Sequence, residues 1–183
     1  MAGTFVEAKS FVENPHYQKK KDEALHKLDY DEIDPPITDI IKGFTTIPYC
    51  FLLQSCYGHF VHEGQKDPKN VSPLSNYNED SKIEYRIAYI AIVIENNDKG
   101  KKLYQDLEAI VKIDPENIQF GSVDWFWNKG DINSYVLQVE PDRYKAEDGA
   151  IISVDEALHL QNVRDKMFEA LRKVLRKHKQ MVE

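Results

Sequence analysis

KIEYRIAYIAIVIE, residues 82–95, is the stretch on which the fold turns. Alternation puts Tyr85, Ile87, Tyr89, Ala91 and Val93 on one face, and Glu84, Arg86, Ala88, Ile90, Ile92 and Ile94 on the other. The second face becomes apolar after Arg86, so the segment reads as one long strand buried on both sides for most of its length. A strand of that kind needs packing on each face, from helices or from a second layer.

Working downstream, NNDKGKKLYQDLEAIVKI reads as a helix with Leu103, Leu107, Ile110 and Val111 inward. ENIQFGSVDWFW and NSYVLQVEP read as strands joined across NKGDI, a hairpin signal. Ser153 followed by Glu156 is a capping-box pattern that opens a long C-terminal helix. Its expected core stripe is Val154, Ala157, Leu158, Leu160, Val163, Met167, Ala170, Leu171 and Val174. Upstream, residues 64–82 are polar and rich in Pro, Asn and Ser, which predicts a long surface loop that either covers a site or is a plain insertion. YCFLLQSC is a compact apolar strand. Before it, Asp34 can cap a short helix begun by Pro35 and Pro36, carried by Ile37, Ile40 and Ile41 and ended by Gly43. Residues 17–28 favour a helix with Ala24, Leu25 and Leu28 inward, and residues 1–16 are expected to lie against the surface and to be flexible. The order, roughly ααβ–βα–ββ–α, does not alternate strictly. It predicts a single α+β domain over 1–183, with a mixed or antiparallel sheet, packed helices and the amphipathic helix at the C-terminus.

The totals fit a globular chain of 183 residues, 42% hydrophobic and 30% charged. A net charge of −7 argues against broad nucleic-acid binding, which runs on excess Lys and Arg. No apolar run approaches membrane-spanning length, so no membrane contact is expected. No secretory signal is legible and there are only two cysteines, so a reduced, cytoplasmic setting is expected. Cys50 and Cys56 on one strand would lie about 20 Å apart, too far for a disulfide.

LLQSCYGHF, residues 52–60, is where chemistry is legible. A strand that stops in Ser55-Cys56-Tyr57-Gly58 can present backbone N–H groups around a tight turn, a small concave site for an anion or a ligand carboxylate. The plain alternative is a strand-to-turn junction holding a structural cysteine. Nucleophilic use of Cys56 would need His59 or His62 beside it, but three residues of extended strand put Cys56 and His59 on opposite faces, and no Asp or Asn partner is identifiable. Cys56, His59 and His62 are suitable metal-ligand types at a spacing that suits no common zinc module, so no metal is expected. Residues 164–179 carry a formal +5. That charge complements the helix dipole or, with Lys19, Lys20 and Lys21, forms a local RNA-facing edge. Trp125 and Trp127 on a strand would share a face, as core, as interface or as a stacking platform. There is no GxGxxG, no GxxxxGK[ST] and no HExxH.

KKKDEALHKLDYDEIDPPITDIIKGFTTIPYCFLLQSCYGHF resembles the N-terminal part of the tRNA wybutosine-synthesising protein 3 family. Lys21 and Leu28 come first, then Ile33-Asp34-x-x-Ile37, then the strand ending in the turn. Phe51, Ser55, Cys56 and Gly58 match by position. Leu52 and Leu53 stand where the family has threonines, Gln54 replaces its first serine, and His59 replaces an arginine. The resemblance covers about a third of the chain. It implies S-adenosylmethionine-dependent methylation of a tricyclic guanine base in phenylalanine tRNA. Ser55, Cys56 and Gly58 would then lie at the S-adenosylmethionine site, Cys56 as a small buried wall, with His59 placed to take the acceptor proton. The alternative is a non-enzymatic interaction or homodimerisation module that uses the tryptophan hairpin and the C-terminal helix.

Overall fold

The computed structural model describes residues 5–74, 80–144 and 147–182. The fold is α+β, built on two antiparallel sheets. The larger runs in the order Phe5–Val6, Ile118–Val123, Ser134–Val139, Ala88–Ile94, Cys50–Cys56, and the smaller in the order His59–His62, Lys82–Arg86, Gly149–Ser153. In chain order the elements are β1 (Phe5–Val6), α1 (Tyr17–Lys27), α2 (Thr38–Phe44), β2 (Cys50–Cys56), β3 (His59–His62), β4 (Lys82–Arg86), β5 (Ala88–Ile94), α3 (Asp98–Glu108), β6 (Ile118–Val123), α4 (Asp124–Asn128), β7 (Ser134–Val139), β8 (Gly149–Ser153) and α5 (Val154–Gln180).

The stretch 82–95 is two strands and not one. Ile87 breaks the ladder and donates its N–H to the Asp148 carbonyl at 3.3 Å. Before it, β4 pairs with β3 and β8; after it, β5 pairs with β2 and β7. The opposite strand breaks at the same level, at Tyr57-Gly58, since Cys56 pairs with Tyr89 and His59 with Arg86. A two-stranded ribbon thus bends at one corner and passes from the larger sheet into the smaller. Gly58 makes the bend possible. Its φ is +87°, and a Cβ there would stand 2.8 Å from the Cβ of Ala88.

Burial on both sides of β5 holds. Ala88, Ile90, Ile92 and Ile94 join the main core with Ile40, Phe44, Leu103, Leu160, Met167 and Leu171 from the helices. Ala91 packs with Val123, Phe126 and Val136, and Val93 with Tyr17 and Phe51, on the opposite face.

Ser153 caps α5, its Oγ accepting from the Glu156 N–H at 3.2 Å. The buried stripe is rotated from the expected one. Phe168 and Leu175 are inside, Leu158 is 40% exposed, and Arg164 and His178 occupy buried stripe positions. Gly43 does not end α2; it lies within it, where a Cβ would run into the side chain of Leu175. In α1 the buried residues are Tyr17 and Lys21, and Leu25 is exposed. Lys21 is inward because its Nζ reaches the carbonyls of Ile47, Pro48 and Cys50 at 2.6, 2.9 and 2.9 Å, so its charge is satisfied where its stem is buried.

β6 and β7 pair as expected, but residues 124–128 form a short helix, so Trp125 and Trp127 share no strand face. Trp127 donates Nε1–H to the Ser134 carbonyl, and Lys129 lies 3.6 Å from the Trp125 ring centre. From Phe5 the N-terminal segment is tied to the sheet. Lys9 N–H meets Ser122 Oγ and Val12 N–H meets Asn133 Oδ1, each at 2.9 Å; residues 1–4 lie outside the described residues. Of the expected loop 64–82, residues 75–79 lie outside them as well. The earlier part packs back: the Leu74 N–H donates to Gln161 of α5 at 2.8 Å. Among the described residues no helix is long and apolar enough to cross a membrane.

Candidate functional site

The corner at 55–59 is assembled from distant pieces of chain. Asp34 precedes the two prolines that start the α2 region, but it makes no side-chain cap bond there. Its Oδ2 turns to the corner instead, accepting the Tyr57 N–H at 2.8 Å and lying 3.3 Å from Nε2 of His59. Nδ1 of His59 faces the Asn70 carbonyl at 3.3 Å, so the long loop closes the other side of the ring. Cys56 comes from the end of β2, and its Sγ accepts the Gly58 N–H at 3.4 Å. From behind, Arg164 of α5 donates to the Gly58 carbonyl at 3.3 Å and lays its guanidinium 3.8 Å from the Tyr57 ring centre. Arg164 and His59 are buried, and Cys56 and Asp34 are partly so.

The turn corrects one inference from spacing. Cys56 and His59 do not point apart, because the strand ends between them. One ligand-type atom each from Asp34, Cys56 and His59 lie within 4.8 Å of one another. The acidic partner that the sequence did not identify is Asp34, 22 residues upstream of Cys56.

A carbonyl oxygen only accepts, so Nδ1 of His59 carries a proton, and the carboxylate on the other side favours a proton on Nε2. The hydrogen bond to Asp34, followed by that to Cys56, outweighs burial and raises the pKa of His59 to about 10. Burial works against ionisation of Asp34, yet the His59 and Tyr57 donors hold its carboxyl below the usual range. While both ring nitrogens donate, His59 has no lone pair with which to take a proton from an acceptor.

Two recesses meet at this corner. Ser55 lines one of about 230 Å³ with Leu28, Ile33, Leu52, Gln54 and Tyr89. Cys56 lines another of about 230 Å³ with Gln54, Arg86, Tyr89 and Asp148. The first shares Leu28, Glu32, Leu52 and Leu53 with a neighbouring groove of about 570 Å³ between α1 and β2, whose charged lining is mixed: Lys20, Lys27 and Lys129 with Glu23, Asp29 and Asp131. The register of β2 against β5 shifts between Leu52 and Gln54, a bulge that re-aims the side chains of the exposed edge. Ser55, Cys56, Gly58 and His59 therefore do lie together. What sequence reading missed was Asp34, Asn70 and Arg164. Arg164 left a signal as a charged residue in phase with the apolar stripe of α5, and Asp34 left one as a cap candidate and in the matched Ile33-Asp34-x-x-Ile37 segment.

The basic edge is largely spent on the protein's own pairs. Arg172 makes a two-pronged contact with Asp39, Lys177 pairs with Asp106 at 2.7 Å, Lys20 pairs with Asp131, and Arg164 and Lys21 are buried.

No protein-family model matches the chain, and no curated protein matches it. Among solved structures, the PH1069 protein from Pyrococcus horikoshii is similar at 12% identity, over 88% of this chain and 93% of that one, with a TM-score of 0.52. A hypothetical protein from Aeropyrum pernix is 11% identical over 81% of this chain and 99% of that one, with a TM-score of 0.46. At such identity the first likeness concerns the fold.

Proposed function

We propose that this protein binds S-adenosylmethionine in the recess at Ser55 and transfers its methyl group to a modified guanine base of tRNA, in a cytoplasmic setting where Cys50 and Cys56 stay reduced. The observation that carries this reading is the corner itself. Three of the residues that match the wybutosine-family motif, Ser55, Cys56 and Gly58, sit at the bend where the ribbon changes sheets, beside a recess that shares a wall with a larger groove. Leu28, Ile33, Leu52 and Tyr89 offer apolar and aromatic walls for a nucleoside, and Ser55 and Gln54 offer hydrogen bonds. The groove gives room for a second, larger reactant.

Catalysis in such a site is chiefly alignment. The methyl donor and the acceptor nitrogen must be held in line, and rigid walls supply that without a strong base. His59 enters as a positioned cation beside Asp34, and it becomes a proton acceptor only after giving up the proton on Nε2. The interaction-module reading has less support, because the apolar stripe of α5 is buried in the protein's own core and Trp125 is covered on one face by Lys129.

The test is a thermal-unfolding titration with S-adenosylmethionine and S-adenosylhomocysteine, followed by methyl transfer to tRNA. Ligand at a hundred times its Kd adds about 2.7 kcal/mol of stability. A saturable shift that is lost in Ser55→Trp, which fills the recess, supports the reading. No shift at millimolar ligand overturns it.

A further inference from the structure

We propose that Asp34, Cys56 and His59 form a three-ligand site for a zinc-type divalent cation, with its fourth position open toward the recess beside Cys56. The inference shares the corner with the proposed function but does not rest on the cofactor assigned there.

Four observations carry it. The ligand set, one thiolate, one imidazole and one carboxylate, is the borderline-soft mixture that zinc takes, and three protein ligands with one open place is the arrangement of catalytic zinc. The spacing fits. The His59 Nε2 to Asp34 Oδ2 distance is 3.3 Å, longer than the about 2.7–2.9 Å of a good charge-assisted hydrogen bond. It is close to the edge of a tetrahedron whose nitrogen and oxygen each stand about 2.1 Å from a central zinc, which is about 3.4 Å.

The outer shell is also in place. Nδ1 of His59 is directed at the Asn70 carbonyl, which fixes the ring with Nε2 toward the ion. The Tyr57 N–H holds Asp34, and the Gly58 N–H points at the Cys56 sulfur, as a thiolate ligand requires. Finally there is access. Cys56 and Asp34 keep partial exposure, and the recess of about 230 Å³ at Cys56 is lined by Gln54, Arg86, Tyr89 and Asp148.

The argument against a metal compared the sequence spacing of Cys56, His59 and His62 with common zinc modules and left Asp34 out of the ligand set. The bend at Gly58 brings Cys56 and His59 together, and Asp34 takes the third place in the set instead of His62.

The experiment uses the full chain, stripped with EDTA and dialysed, then titrated with Co²⁺ and back-titrated with Zn²⁺. One ion per chain and a near-ultraviolet cobalt–thiolate band, displaced by Zn²⁺, are expected. Cys56→Ser should abolish the band and weaken binding at least tenfold, as should His59→Gln for affinity. Cys56→Ser changes a single atom, so an unchanged urea midpoint in EDTA certifies its fold. No band, or a band that survives Cys56→Ser, overturns the proposal. Running the S-adenosylmethionine titration with and without EDTA separates the two readings, since cofactor binding can fail or succeed independently of the cobalt signal.

Discussion

Glu140 follows β7 and is 1% exposed. Gln138 donates to its Oε2 at 2.6 Å, and among the described residues no donor stands within hydrogen-bond geometry of its Oε1. Burial, with the charge of Asp148 nearby, pushes its carboxyl up to about 8 from an ordinary 4.5. Glu140→Gln keeps the shape and the acceptor for Gln138 while removing the titration. The sign follows from which state holds the proton. Between pH 4.5 and 8 the native chain keeps the proton on Glu140 and the unfolded chain has released it, so stability falls as pH rises. Each pH unit in that window costs about 1.4 kcal/mol, and the whole window on the order of 5 kcal/mol. The variant has no such slope at this position. At pH 5 the two proteins should lie within about 1 kcal/mol, since a protonated carboxyl and an amide leave a similar unpartnered donor. At pH 8 the variant should be the more stable by several kcal/mol. Urea unfolding followed by the fluorescence of Trp125 and Trp127, from pH 5 to 8.5, reads the difference directly. Parallel stability curves for the two proteins would refute the reasoning, because they would mean that Glu140 ionises as readily folded as unfolded.

Two further outcomes follow from the packing. Lys21→Met should cost about 2–4 kcal/mol in urea unfolding, because three carbonyls around Nζ lose their donor, and a cost under 1 kcal/mol would show that water replaces the ammonium without penalty. Gly58→Ala should cost about 2–4 kcal/mol, part from the left-handed φ and part from the close approach to Ala88. Ala88→Gly in that background should recover some of the loss, and additive costs would place the strain elsewhere.

Much of the candidate site was legible as a local signal. An apolar strand ending in Ser55-Cys56-Tyr57-Gly58-His59 marked the corner, and Gly58 does adopt the left-handed turn that such a stretch invites. Its other half was not. Asp34 stands before two prolines, a context that reads as a cap, and nothing local distinguishes a carboxylate that caps its own turn from one that crosses to Tyr57 and His59. The tryptophan segment failed for a related reason. Asp124-Trp-Phe-Trp has strand-like side chains, but β6 pairing ends at Val123 and the chain turns into one helical turn.

Periodicity and capping by themselves determined the α+β class, the long helix opened by Ser153, the two-sided burial of β5 and the pairing of β6 with β7. These depend on residues within one or two turns or on one alternating pattern, and short-range chemistry is written in order along the chain. Tertiary structure alone decided that the ribbon 50–62/82–94 bends between two sheets, that Lys21 and Arg164 point inward, and that Asp34, Cys56, His59 and Asn70 converge. Each of those outcomes depends on satisfying buried polar groups with partners that are distant in sequence, and which partner comes within hydrogen-bond reach is set by how the layers pack.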